Sequence, residues 1–242
     1  MIPVAILAGG LGTRLKSIAG DLPKCLIPVL GRPFIAHQLE WLQSWGITDV
    51  AVLVGTGGDQ VERIIGSVTP KNMNVKCFHD GPALRGTGGA VMAALPMLGE
   101  SFLTLYGDSL LSCNVRAIAA RFRQSDDMGL MTVYRNEDRW IPGNVRIQAD
   151  RVTAYDKAAL PGAMPYVDYG LNGFVRDAFS AFLHRATFDL SEVHRHLIAR
   201  NALSAYPVAD RFYEIGTPEG LAETEEMLAH TAGPFGSPVI EE

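Results

Sequence analysis

The run Val4-Ala5-Ile6-Leu7 is wholly apolar, and it breaks at once into Ala8-Gly9-Gly10-Leu11-Gly12-Thr13-Arg14-Leu15. A short apolar run without polar alternation is expected of a strand buried on both faces, inside a sheet that carries helices on either side. A tight turn needs one glycine or two. Three glycines, a hydroxyl and a guanidinium describe a backbone shaped around an anion. With no Cβ in the way, the N–H groups of Gly9, Gly10 and Gly12 can converge on one phosphate, Thr13 adds a donor, and Arg14 adds a fork that matches phosphate oxygens. The bland alternative is a strand-to-helix turn. The spacing is neither G-x-G-x-x-G nor G-K-[ST], so any phosphate cradle here is of another kind.

The alternation of strand and helix continues. Pro33 opens PFIAHQLEWLQSWG, where Phe34, Ile35, Leu39, Leu42 and Trp45 keep close to helical period and Gly46 is a stop. Val50–Val54, Val75–Phe78 and Phe102–Leu105 read as strands, with helices at Gln60–Ile65 and Ala90–Leu98 between them. The second half reads as strands at Gly129–Tyr134, Asn144–Gln148, Val152–Tyr155 and Tyr166–Phe174, parted by turn pieces such as IPGN and LPGAMP. Asp189 or Ser191 caps a helix running to about Arg200, and Thr217-Pro218-Glu219 has the cap-then-proline form of a last helix. The expected class is α/β: a Rossmann-like mixed, mainly parallel sheet with helices on both faces. No repeat or linker divides the chain, so one domain is expected over 1–230, followed by a Gly- and Pro-rich tail at 231–242 that is expected to be mobile.

Composition narrows the partners. With 48% hydrophobic and 19% charged residues the chain has ample core and no signature of disorder. Its 21 basic and 26 acidic residues, a net charge of −5, argue against nucleic acid as a partner. The basic grouping Arg116 to Arg123 is spread at helical spacing and reads as a solvated face. No run approaches a membrane span and no basic leader precedes an apolar stretch, so a cytoplasmic protein with no membrane partner is expected. Cys25, Cys77 and Cys113 lack paired spacing and read as reduced, buried thiols. His194 and His196 fall on different sides of a helix and read as surface or packing residues, His37, His79, His184 and His230 are scattered, and no zinc site is expected.

Lys24 follows in DLPKCLIPVLGRPF, held between a proline and an apolar run on the same loop as Arg14, where it could neutralise a second phosphate. LAGGLGTRL followed by that segment resembles the N-terminal signature of the sugar-1-phosphate nucleotidylyltransferases, or nucleoside-diphosphate-sugar pyrophosphorylases. The resemblance continues through RGTGGA, YGDS, DK and YEIGTPEGL, and so spans nearly the whole chain. Within the family the chain most resembles the branch that acts on D-glycero-α-D-manno-heptose 1-phosphate with GTP.

The resemblance implies attack by a sugar-1-phosphate oxygen on the α-phosphorus of a nucleoside triphosphate, with release of pyrophosphate and with Mg²⁺ as cofactor. The nucleophile is already ionised, so alignment and charge neutralisation carry the reaction. Residues 1–110 would mainly bind nucleotide and 111–230 mainly the sugar phosphate. Leu7, Ala8, Gly9, Gly10, Gly12 and Thr13 would line the nucleotide, and Arg14 and Lys24 would hold its triphosphate. In Gly86-Thr87-Gly88-Gly89, Gly88 and Gly89 would meet the base and ribose while Gly86 shapes the turn. Asp108 would bind the metal at the edge of the sugar site, helped by Glu214, which stands where the family commonly has aspartate. Lys157 would meet the sugar phosphate beside Asp156, which replaces the usual glutamate; Asn144, Asp168 and Gly170 would line the sugar pocket. Simpler roles stay open for Glu214, favouring a helix N-terminus, and for Asp168, as a turn residue. A nucleotide-sugar for surface polysaccharide would be the product. UTP- or dTTP-dependent transfer to another hexose 1-phosphate, N-acetylmuramate 1-phosphate included, stays open, as do a cytidylyltransferase of a phosphorylated alcohol and a non-catalytic nucleotide-sugar-binding regulator. The apolar stretches of the second half would suit a homodimer.

Overall fold

A computed structural model describes residues 2–10, 15, 18 and 20–231. Leu11, Gly12, Thr13 and Arg14 of the first glycine loop, and the tail from 232 onward, lie outside the described residues. The chain runs β1 (Val4–Leu7), β2 (Pro28–Val29), β3 (Arg32–Pro33), α1 (Phe34–Ser44), β4 (Asp49–Val54), α2 (Gly58–Val68), β5 (Asn74–His79), α3 (Gly86–Leu98), β6 (Ser101–Tyr106) and β7 (Ser109–Leu110). It continues with α4 (Val115–Arg123), β8 (Gly129–Arg135), β9 (Val145–Gln148), β10 (Arg151–Tyr155), β11 (Tyr166–Val175), α5 (Leu190–Ala199), β12 (Leu203–Val208), β13 (Tyr213–Glu214) and α6 (Pro218–Ala229).

Among the described residues nine strands make one sheet in the order β5-β4-β1-β6-β11-β8-β12-β10-β9. β5, β4, β1 and β6 are mutually parallel, and β12 is parallel to β8; β11 runs antiparallel to both β6 and β8. The mixed, mainly parallel sheet expected from the sequence is therefore present. Chain order reverses around β1: β4 and β5 are laid down on one side of it and β6 on the other. That reversal opens a crevice at the carboxyl ends of β1 and β6, where open α/β sheets bind ligands.

Strand alternation sorts the core. Val4 and Ile6 of β1, with Val50, Val52 and Val54 of β4, pack on one face against Ile35 and Leu39 of α1, Val61 and Ile65 of α2 and Ile118 and Phe122 of α4. Ala5, Ala51 and Leu53 turn to the other face, against Val91 and Leu95 of α3 and Val193 and Leu197 of α5. Small residues on that side let α3 approach. α4 buries its apolar stripe while Arg116 and Arg123 stay exposed, the solvated basic face expected for that stretch.

Some elements differ from the sequence reading. α3 begins at Gly86, a full turn before Ala90, because its glycine-rich first turn packs rather than loops. β12 carries Pro207 and was not foreseen as a strand. The proline is tolerated since β10 meets β12 only at Arg151–Ser204 and that edge gives one further amide, Ala205, to Asp150 O at 2.8 Å, so at Pro207 it needs no N–H donor. Cys25 is buried, Cys77 and Cys113 partly so, and all three are free thiols. Among the described residues no helix is long and apolar enough to cross a membrane.

Candidate active site

A cleft of about 540 Å³ opens at the reversal point, lined from β1 and its loop by Leu7, Ala8, Gly9 and Gly10, and from the opposite strand by Tyr106, Gly107 and Asp108. Lys24, Asp80, Gly86, Thr87, Lys157 and Gly216 add further polar and backbone groups to its lining. The size suits a small organic ligand. Among the described residues a Cβ on Gly10 would meet open space and one on Gly9 would touch only Gly55, so both glycines present bare backbone to the cleft.

Asp108 is placed by three backbone anchors. The Gly107 amide donates to Leu7 O at 3.1 Å, and the Ile215 amide donates to Asp108 O at 3.0 Å. The Gln38 Nε2, wholly buried on α1, donates to Tyr106 O and Ser109 O, both at 2.8 Å, and so brackets the Gly107-Asp108 turn from below. Gly107 must be glycine, since a Cβ there would lie 2.6 Å from Leu7 O. Nothing in the sequence marked Gln38, whose partners lie 68 and 71 residues away.

The Asp108 carboxylate forms an ion pair with Lys24. β13 pairs with β7 so that Glu214 stands opposite Ser109, next to Asp108. A Cβ on Gly216 would lie 3.2 Å from Lys24 Nζ and 3.6 Å from Glu214 Oε1, so both groups converge over that glycine. Asp108 and Lys24 line the cleft and Glu214 stands behind them beside Gly216; two carboxylates near one ammonium are a donor set that fits a hard divalent cation bound together with phosphate oxygens.

Lys157, just beyond β10, donates to Asp189 Oδ1 at 2.8 Å. Asp189 is the N-cap of α5 in a capping box with Glu192, and its other oxygen accepts the Thr87 hydroxyl at 3.1 Å. Partial burial pushes the Asp189 carboxyl up, but hydrogen bonds from Lys157 and Ser191 outweigh it and hold the group well below the usual carboxylate range. Of the second glycine turn, Gly86 and Thr87 line the cleft. Gly88 and Gly89 are buried: both amides donate to Phe188 O, at 3.0 and 3.3 Å, and a Cβ on Gly88 would strike the Phe188 ring.

The remaining predicted residues among those described stand away from the cleft lining. Asp156 is exposed and accepts the Ala158 amide at 2.9 Å. Asn144 Oδ1 accepts the Asp168 amide at 2.9 Å, tying the start of β9 to β11. The Asp168 carboxylate is buried and spent on four donors: Tyr106 at 2.5 Å and Tyr155 at 3.1 Å on one oxygen, the Gly170 amide and Asn172 on the other. Burial first, then the Asp168 charge, pushes both tyrosine hydroxyls up, so they stay protonated donors. Gly170 adopts φ +98° in the register shift of β11, where a Cβ would crowd Tyr106 at 3.1 Å. His194 is buried, and burial lowers its pKa to about 4. Elsewhere Asp59, Glu62 and His79 gather on the surface within 4.8 Å of one another, a possible ligand group that the scattered histidines did not reveal.

The sheet, its reversal point and the glycine-walled cleft define a nucleotide-diphospho-sugar transferase fold. The chain belongs to the MobA-like NTP transferase domain family, whose pattern matches residues 4–211. It is 28% identical to the D-glycero-alpha-D-manno-heptose 1-phosphate guanylyltransferase of Campylobacter jejuni, over 88% of this chain and 94% of that protein. It is 34% identical to the bifunctional protein GlmU of Ralstonia pickettii over 62% of this chain, and it spans only about a third (32%) of that protein's length. Its fold matches HddC from Yersinia pseudotuberculosis complexed with GMP-PN, with a TM-score of 0.76, 23% identity and coverage of 94% of this chain and 100% of that one.

Proposed function

We propose that this protein is a sugar-1-phosphate nucleotidylyltransferase that joins GTP and a manno-configured heptose 1-phosphate, with mannose 1-phosphate as the near alternative, into a nucleotide-sugar and pyrophosphate. The observation that carries the reaction class is the Lys24–Asp108 ion pair in the cleft, with Lys24 and Glu214 meeting over Gly216 and Lys157 lining the same cleft. The choice of substrates rests on the guanylyltransferase relative, which matches this chain over nearly its whole length.

The chemistry asks for cations and backbone donors rather than a strong base. Gly9 and Gly10, with Gly12, Thr13 and Arg14, would cradle the triphosphate, and Lys24 would leave Asp108 for a phosphate oxygen when the cation arrives. Asp108 and Glu214 would hold Mg²⁺, which supplies neutralisation of the charge on the phosphates. Lys157 would bring the sugar phosphate into line with the α-phosphorus, its compact charge suited to an anion. Asn144, Asp168 and Gly170 would shape the sugar side through the Tyr106 wall, and Asp156 would stand at its rim. The protein would act in the cytoplasm on soluble substrates, feeding surface polysaccharide assembly, as a homodimer, with 1–230 as one domain.

Pyrophosphate release with Mg²⁺ tests this, crossing GTP, UTP, dTTP, CTP and ATP against mannose, glucose, N-acetylmuramate and D-glycero-α-D-manno-heptose 1-phosphates. The expected result is turnover with GTP and the heptose derivative above all other pairs. Preference for another pair would overturn the substrates but keep the reaction. Silence across the panel, with nucleotide still bound, would leave a binding regulator in its place.

A further inference from the structure

Two cleft-lining side chains meet at one carboxylate outside the lining: Lys157 on Asp189 Oδ1 at 2.8 Å and Thr87 on Asp189 Oδ2 at 3.1 Å. Asp189 also caps α5, accepting the Ser191 amide at 2.8 Å, while its own amide donates to Glu192 at 3.1 Å. A cap needs only a side-chain acceptor, and serine or asparagine serves there as well as aspartate. The negative charge is therefore surplus to the helix. Nor does the ion pair hold the fold, since Lys157 and Asp189 are 46% and 43% exposed and such pairs contribute little. What the charge does is fix one ammonium. Lys157 carries its donors on a flexible stem beyond a strand end, whereas Asp189 is pinned by the helix cap and by Thr87. An ammonium has three donors; one is given to Asp189 and two stay available to an incoming anion.

We propose that Asp189 is a positioning residue for the reaction: it holds Lys157 at the cleft wall so that the sugar phosphate arrives at an ammonium already in place. This rests on the reading of Lys157 as the group that meets the sugar phosphate. Removing the charge frees the lysine stem, which costs alignment, and also removes a like charge near a dianion, which does not weaken binding. The loss thus falls on kcat and spares KM.

The test compares wild type with Asp189→Ser and Asp189→Asn, both of which keep a helix cap. In Asp189→Ser, kcat is expected to fall about tenfold while the KM for the sugar 1-phosphate does not rise. Asp189→Asn, whose side-chain oxygen still reaches the lysine, is expected between that variant and wild type. Unchanged kcat, or a higher KM at constant kcat, overturns the proposal. A second readout needs no turnover: acylation of Lys157 in the ligand-free protein, followed by peptide mass, is expected to be faster in Asp189→Ser. Equal rates overturn the hold on Lys157, even if a variant melts early. Wild type that releases no pyrophosphate with any substrate pair would defeat the transferase reading instead, and the acylation rates would still decide whether Asp189 restrains Lys157.

Discussion

Lys24 and Asp108, 84 residues apart in the chain, form an ion pair in the wall of the cleft, with 18% and 30% of their side chains exposed. The pair places a cation directly on the carboxylate proposed to bind metal, so the free protein holds the acid ready and charge-balanced. Asp108→Asn keeps the size of the side chain and the three anchors of its turn. Turnover is expected to fall at least ~10³-fold, while stability shifts by no more than about 1 kcal/mol. Steady-state pyrophosphate release and thermal unfolding read both quantities. Near-normal rates in this variant would remove Asp108 from the metal site.

Gln38 tests whether the Asp108 turn is held from beneath. Gln38→Leu leaves the Tyr106 and Ser109 carbonyls without their buried donor. Two unsatisfied acceptors predict a loss of roughly 1–3 kcal/mol in denaturant unfolding. Because the loosened turn carries Asp108, the apparent Mg²⁺ requirement should rise as well. A destabilised protein with an unaltered Mg²⁺ titration would show that Gln38 supports the fold without placing the carboxylate.

His194 predicts a pH dependence of stability. Its ring lies edge-on to Tyr155 at 5.2 Å and beside Phe174, and neither ring nitrogen has a partner among the described residues. Burial lowers its pKa from 6.5 to about 4, so between those values the unfolded chain binds a proton that the native state refuses. Stability is therefore full above pH 6.5 and declines as pH falls toward 4, by up to roughly 3 kcal/mol from this group. His194→Leu should flatten that part of the profile, because leucine has no proton to exchange. Parallel slopes for both proteins between pH 4 and 6.5 would refute the assignment.

Parts of this molecule are written locally, and parts are not. β1, β4 and β6 were legible because a strand buried on both faces is mostly apolar, with Thr104 the one polar residue inside the buried run of β6. Thr217 was legible as a cap, and Asp189 as one of two candidates with Ser191, because a cap is a rule about a residue and its next few neighbours. Gly9, Gly10, Lys24, Asp108 and Lys157, which line the cleft, were singled out through a long motif. What joins them was hidden: Gln38 reads as one more polar residue on an amphipathic helix, and the meeting of Thr87 with Asp189 spans 102 residues. Gly88 and Gly89 show the same limit. Their pattern marks a close approach, but only the fold names Phe188 as the group that approaches Gly88 and Ala186 as the one that approaches Gly89.

Asp168 separates a residue that shapes a site from one that acts in it. Its Oδ1 faces the Gly170 amide and Asn172, and its Oδ2 faces two tyrosine hydroxyls, so all its charge is used inside the protein. In Asp168→Asn the amide nitrogen can turn toward the tyrosines, whose hydroxyls rotate and accept, and the oxygen stays on the Gly170 side. The charge-assisted bonds weaken, and a loss of about 1.5–3 kcal/mol is expected. In Asp168→Ala all four donors lose their acceptor, and the loss should reach about 3–5 kcal/mol. Unfolding free energies should thus fall in the order Asp, Asn, Ala. The KM for the sugar 1-phosphate in the folded Asn variant should stay within a few-fold of wild type. A large rise in KM at nearly full stability would show that the carboxylate itself reaches the sugar, and would move Asp168 from the wall of the site into it.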